Sequence, residues 1–356
     1  MTRAETVRER LDAALAGAPV RWPVYAVYDW FVENRPIDWE RLFALGLGRI
    51  NHANVIRHEH PGFERVETTT EQDGRVRRDV RLVTDVGELH EWYLGEWRQE
   101  HFIKRPDDYR VMLRALEDVR VFPDDAAFHR SEAAVGDGGI TVGQVQGLGS
   151  GRTPPMVVQI DWAGLQRFSL DLASQEPALM ELLEVMTAIT LDEIREAAKT
   201  SARQIKLWEN LSIETLGPRH FRTHLVPLYR QIIDILDAAG KRLLVHYDGQ
   251  LRAIAEDIAE LDIDGIDSFT EAPEGDMTVA EARTAWPDTF LWLHPNLGWY
   301  ERGEEELRRQ VRRVCAEAGP TRYCLMISEE VPPKWQATVP AVLDELEALS
   351  TQRSHA

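Results

Sequence analysis

From residue 140 onward, short apolar runs alternate with amphipathic stretches at a regular spacing. "ITVGQVQG" (140–147), "RQIKLWEN" (203–210), "RLLVHYDG" (242–249), "IDGIDSFTE" (263–271), "TFLWLHPN" (289–296) and "RYCLMISEE" (322–330) each read as a strand. Between them lie helical periodicities at roughly 176–199, 218–239, 251–261, 278–285 and 303–318, with a closing helix at about 338–349. The first of these carries Leu179, Leu182, Leu183, Met186 and Ile189 at helical spacing. The N-terminal part has a different texture. A helix over 3–16 presents Val7, Leu11, Ala14 and Leu15 on one face, and "PVYAVYDW" (23–30) reads as a strand. "TTTEQDGRVRRDVRLVTDVGELHEWYL" alternates around an Asp73-Gly74 turn, the pattern of a β-hairpin, and a helix follows at about 106–118.

Apolar strands alternating with amphipathic helices predict parallel strands joined by helical crossovers. About five such units, with strands near 24 and 140, approach the eight of a (β/α)8 TIM barrel. An open doubly wound sheet would place a Gly-rich phosphate loop after an early strand, and none stands there. "GLGSG" (147–151) is a lone glycine cluster that reads as a loop. The expectation is an α/β chain: one (β/α)8 barrel domain over 1–356, with an N-terminal helical and β-hairpin elaboration inserted at about 60–100.

Composition narrows the function. The net charge of −19 argues against nucleic-acid binding, which needs cations facing phosphate. No run approaches ~20 consecutive apolar residues, so no membrane span is expected. The N-terminus lacks the apolar core of a signal peptide, and two cysteines, Cys315 and Cys324, imply no disulfide framework. A soluble cytoplasmic protein is the expectation; the oligomeric state is not readable.

The strand ends carry the chemistry, because barrel sites form where strands pass into βα loops. Read in order, these ends hold Trp208-Glu209-Asn210, His246 and Asp248, Glu271, His294 and Asn296, and Ser328-Glu329-Glu330. Side chains two apart on a strand share a side, so His246 and Asp248 project together. With Glu271 from the next strand and Glu329 from across the mouth, they form a candidate divalent-metal site. The bland alternatives are a helix cap for Asp248, an arginine partner for Glu271 and solvation for Glu329. Glu209 is the candidate general base or support for the ligands, and His294 the other acid–base candidate, alternatively packed beside Trp292 and Trp299. Tyr28, Trp30, Trp208, Trp299 and Tyr300 are candidates to wall an apolar pocket for a small-molecule substrate.

"LGPRHFRTHLVPLYRQIIDILDAAGKRLLVHYDGQ" and "FLWLHPNLGWYERGEEELRRQVRRVCAEAGPTRYCLMISEEVPP" resemble the uroporphyrinogen decarboxylase superfamily, which includes cobalamin-linked methyltransferases. "TDVGELHEWY" and "IKRPDDYRVMLRALED" resemble it more loosely. In the methyltransferase branch a zinc ion is held by a His-x-Cys pair, a glutamate one strand later and a cysteine after the last strand. The resemblance puts the histidine on His246, the first cysteine on Asp248, the glutamate on Glu271 and the last ligand on or beside Glu329, with Cys324 as the alternative. Carboxylates in place of thiolates favour harder ions such as manganese or iron alongside zinc, and oxygen over sulfur substrates. The resemblance implies methyl transfer to or from a small molecule or a corrinoid, with cobalamin arriving on a corrinoid partner protein. The alternatives are a metal-dependent lyase, decarboxylase or hydrolase, and a non-catalytic barrel binding a ligand or corrinoid protein. Porphyrin decarboxylation itself is disfavoured: the N-terminal arginine stretch of that branch is replaced by "PVYAVYDWFVENRP", with only Arg35 nearby.

Overall fold

The computed structural model describes residues 5–353 apart from 148 and 329. Among the described residues there are fourteen strands: β1 Tyr25–Tyr28, β2 Gly48–Asn54, β3 Ile56–Glu59, β4 Glu64–Gln72, β5 Arg75–Thr84, β6 Gly87–Leu94 and β7 Trp97–Glu100, then β8 Arg120–Pro123, β9 Gly139–Gln144, β10 Gln204–Leu207, β11 Arg242–His246, β12 Gly265–Phe269, β13 Phe290–Leu293 and β14 Tyr323–Met326. Eight of them close into a barrel in the order β1-β14-β13-β12-β11-β10-β9-β2, every neighbouring pair parallel. The expected (β/α)8 barrel is therefore the observed fold. The eighth strand is β2, which the hydrophobic pattern did not reveal.

Most of the barrel strands form because they are apolar on both faces. Leu243, Leu244 and Val245 of β11 are buried between the barrel interior and the helices outside it. The outer helices supply the matching faces. Val226–Ala238 buries Leu228, Tyr229, Ile232 and Leu236, and Pro177–Ala197 buries Leu179, Leu182, Leu183 and Met186. Each such leucine contributes roughly 1.5–3 kcal/mol on burial. At the N-terminus, Thr6 and Glu9 form a reciprocal capping box that starts the helix Val7–Leu15.

Between β2 and β9 the chain leaves the barrel. The antiparallel sheet β4-β5-β6-β7 fills the place of the expected hairpin insertion. Asp73 (φ 52°) and Gly74 (φ 70°) make the two-residue turn between β4 and β5. One face of the sheet buries Val80, Leu82 and Leu89; the helix Pro106–Leu116, which buries Tyr109 and Met112, packs against β5 and β6.

Candidate active site

Two buried charged residues lie inside barrel strands, where apolar residues are the norm. Lys206 is the third residue of β10 and Asp267 the third of β12, and they are 1 % and 2 % exposed. They form an ion pair. His246 ends β11 directly opposite Asp267 in the register, and its Nδ1 lies 2.9 Å from Asp267 Oδ2. Tyr28, at the end of β1, donates its hydroxyl to Asp267 Oδ1. The carboxylate is thus satisfied by an ammonium, an imidazole N–H and a phenol.

The donors then fix the tautomers around the ring. Tyr28 has given its proton to Asp267, so its oxygen accepts from His294 Nε2, 3.2 Å away. His294 Nδ1 is left as an acceptor for Ser268 Oγ at 3.3 Å. Ser268 reaches it from a left-handed backbone (φ 66°), at a register shift between β12 and β13. On the other side, Lys206 Nζ is 3.3 Å from His52 Nε2, which must accept because an ammonium only donates. His52 Nδ1 therefore carries the proton, and it meets Asp29 Oδ1 at 2.9 Å. Asp29 Oδ2 also accepts from the His52 backbone N–H at 2.6 Å.

Burial and charge set the protonation states. Burial alone would raise Asp267, but Lys206, His246 and His294 hold it well below the usual carboxylate range. Burial lowers Lys206, and the Asp267 charge opposes that fall. His52 is lowered by burial and by the Lys206 charge, against the pull of Asp29. Burial pushes His294 down to about 3, with Asp267 opposing it and His246 and Lys206 adding to it, so His294 is neutral.

Above this network opens a cavity of about 500 Å³. Tyr28, His52, His246 and His294 face it, with Trp30, Phe31 and Trp208 as aromatic walls and Arg152 and Gln144 as polar ones. Lys206 lies beneath Trp208, its ammonium 3.4 Å from the ring centroid. Since His246 Nδ1 is held by Asp267, Nε2 is the nitrogen left for a ligand.

The residues expected from the sequence fall into three groups. His246 and His294 are brought together in the network. Asp248 is near, its Oδ2 3.8 Å from His246 Nε2. Glu271 instead accepts from Arg313 at 2.5 and 3.1 Å and from the Val279 backbone N–H at 3.0 Å. Glu209 is fully buried away from the cavity, accepting from the Thr153 hydroxyl at 2.8 Å, the Thr153 N–H at 3.1 Å and Tyr229 at 2.9 Å. Burial raises its pKa against these bonds. It ties down the loop that brings Arg152 to the cavity, and Trp208 N–H fastens the same loop through Gly151 O at 2.8 Å. Glu329 lies outside the described residues. Cys324 is buried in β14 beside Met326, and burial and the Asp267 charge push its thiol up.

A metal would therefore find His246 Nε2 and Asp248 on one side, but Glu271 already committed to Arg313. Among the described residues no three His, Cys, Asp or Glu side chains are grouped to hold an ion, and the described donors do not make a complete ligand set. Arg35, the one arginine near the N-terminal position where the decarboxylase branch holds its substrate, is paired bidentately with Glu330 at 2.9 and 2.6 Å. Tyr300 and Trp299, expected at the pocket, lie elsewhere: Tyr300 is buried against Tyr25 at 2.9 Å, and the Trp299 ring centroid lies 5.8 Å from the Arg313 guanidinium carbon.

The residues that strand ends did not reveal are Lys206, Asp267 and His52. The available signal was a charge inside "QIKL" and "GIDSF", since an ionised group in an apolar strand needs a buried partner.

No described helix is long and apolar enough to cross a membrane. No curated protein sequence matches the chain. Among solved structures, a methyltransferase from Methanosarcina mazei matches with a TM-score of 0.57 and 12% identity over 99% of this chain and 100% of that one. A B12-independent methionine synthase from Shewanella sp. W3-18-1, in complex with selenomethionine, matches with a TM-score of 0.45 and 9% identity over 89% and 87%. At such identities the likeness to the first is one of fold, and the second carries no weight. The family model described as uroporphyrinogen decarboxylase (URO-D) matches residues 161–345, more than half of the chain. That stretch includes β10 to β14 and with them Lys206, His246, Asp267 and His294, and the chain belongs to the URO-D family.

Proposed function

We propose that the chain is an enzyme of lyase type, which moves a proton on a small carboxylated molecule at the barrel mouth as a carbon–carbon bond breaks. The observation that carries this reading is the imidazole of His246: Nδ1 is locked on Asp267 and Nε2 is available to the cavity. A histidine so oriented can act as a general acid–base group. In decarboxylation, the bond to the carboxyl carbon breaks, carbon dioxide leaves, and the electron pair stays on the substrate carbon. The protonated His246 Nε2 delivers the proton to that carbon and is reprotonated from solvent. Tyr28 and neutral His294 complete the polar floor, while Trp30, Phe31 and Trp208 keep water off the reacting carbon.

The test is carbon dioxide release from a panel of small aromatic and aliphatic carboxylic acids, with chelator present and absent. A substrate turned over by the wild type should lose roughly 10²–10⁴-fold in rate with His246→Gln. Equal turnover by His246→Gln would remove His246 from the chemistry and overturn this reading.

A second reading is metal-assisted methyl transfer, to or from a small molecule or a corrinoid carried by a partner protein. The spacing of His246 Nε2 and Asp248 Oδ2 favours it, as does the shared fold with the M. mazei methyltransferase. Zinc or a harder ion would draw on His246, Asp248 and a residue of the 324–330 segment, Glu329 first. Stoichiometric metal in the purified protein, lost in both His246→Ala and Asp248→Ala, together with methyl transfer from methylcobalamin, would favour this reading over the lyase.

A further inference from the structure

The four-stranded sheet outside the barrel has two edges, and they are unlike. The β7 edge is four residues long, and its pairing with β6 is interrupted by a register shift at Trp92/Tyr93. A short, irregular edge of this kind is protected against pairing with another chain. The β4 edge has no such protection. It is nine residues long, pairs with β5 in an unbroken register, and contains no proline or lysine. All but Val66 and Gln72 are exposed.

The turn fixes which backbone groups this edge offers. In a two-residue hairpin the flanking residues, here Gln72 and Arg75, exchange both hydrogen bonds. Counting back along β4, the even-numbered residues point their amides at β5. Arg65, Glu67, Thr69 and Glu71 point theirs outward.

We propose that β4 is a self-association edge, at which two copies of this chain pair β4 against β4 in antiparallel fashion about Thr68. The side-chain pattern is self-complementary in that register. Arg65 stands opposite Glu71 of the second copy, Glu67 opposite Thr69, and the same pairs recur across the twofold axis. Centring the axis on Glu67 sets that carboxylate against its own copy, and centring it on Thr69 sets Glu67 against Glu71. Like charges directly opposite are unfavourable, so the charges select Thr68. The four outward residues then exchange about eight backbone hydrogen bonds with their copies, and the two sheets become one. Nothing in this depends on the reaction proposed for the barrel.

The experiment is sedimentation velocity of the full chain over about a hundredfold range of concentration, with circular dichroism to check folding. The wild type should reach the mass of a dimer. Thr69→Pro removes an outward N–H that β5 does not use, so the variant should fold and remain monomeric. Arg65→Glu should weaken association at least about tenfold, by placing carboxylates opposite each other twice. The double variant Arg65→Glu/Glu71→Arg inverts both pairs and should restore the dimer. A wild type that stays monomeric would leave this edge to some other partner and overturn the proposal. A dimer indifferent to Thr69→Pro, or not rescued by the double exchange, would place the interface elsewhere and overturn it equally.

Discussion

Two imidazole–carboxylate pairs stand on opposite sides of the cavity floor, and locally they look the same. His246 gives its Nδ1 proton to Asp267, and His52 gives its own to Asp29, each at 2.9 Å. The difference lies in what meets the second nitrogen. His52 Nε2 is occupied by Lys206, whereas the charged side chain near His246 Nε2 among the described residues is Asp248, at 3.8 Å. The carboxylates differ too: Asp267 is buried and pairs with Lys206, while the Asp29 side chain is 20% exposed. The third partner therefore decides whether the second nitrogen of such a pair is open to the cavity, and here one ammonium makes the distinction.

The largest way to break this comparison is to remove one carboxylate at a time. Asp267→Ala leaves Lys206 as an uncompensated buried cation and should destabilise the fold by about 3–5 kcal/mol. Asp29→Ala strands two His52 donors but no buried cation, and should cost less, about 1–3 kcal/mol. Urea unfolding of the two variants decides it, and equal losses would mean the pairs are equivalent. Lys206→Met should approach the Asp267→Ala loss, because it strands the carboxylate instead. The double variant Lys206→Met/Asp267→Leu should recover much of the loss by replacing the pair with apolar volume. Lys206→Met should also free His52 Nε2 and raise the His52 pKa, which NMR titration would follow.

A smaller effect is the response to acid. The His294 pKa is lowered from the ordinary 6.5 to about 3, so the unfolded chain binds the proton first. Its contribution to stability is full above pH 6.5, declines as the pH falls, and is gone below about 3. The depressed His52 acts in the same direction, and Asp267, depressed from 3.8, adds its loss at lower pH. Melting temperature should therefore begin to fall below about pH 6.5, and His294→Phe should flatten the upper part of that decline. Glu209→Gln keeps the acceptor oxygen for Thr153 and should cost about 1–3 kcal/mol. Hydrogen exchange in the 149–153 loop should rise in that variant, while the affinity of the cavity for a carboxylic acid changes only as much as the loop does.

Seven of the eight barrel strands were legible because each is an apolar run of the length that spans a barrel wall. β2, "GRINHAN", escaped because its polar residues break both the run and the alternation. Part of that polarity belongs to the buried network, since His52 is one of these residues. The same logic explains the partial view of the site. Strand ends were the right place to look for His246 and His294, which the structure brings to one floor. Glu271 and Glu209 look identical to them in sequence, but each is answered by a partner distant along the chain, Arg313 for one and Thr153 with Tyr229 for the other. No local pattern marks which strand-end carboxylate has already found a partner. Lys206 and Asp267 lay one pleat deeper than the rim.

The excursion between β2 and β9 also bears on the order in which the molecule assembles. β10 to β14 pair in chain order through short crossovers, but β2 must find β9 across residues 55–138, and β1 must find β14 across nearly the whole chain. Closing loops of that length is slow, so the C-terminal strands should form a sheet before the ring closes. His246 and Asp267 belong to that early sheet, whereas Tyr28 and His52 come from the two late strands. In a refolding experiment, recovery of the cavity should lag behind recovery of secondary structure, by the time taken to seat β1 and β2.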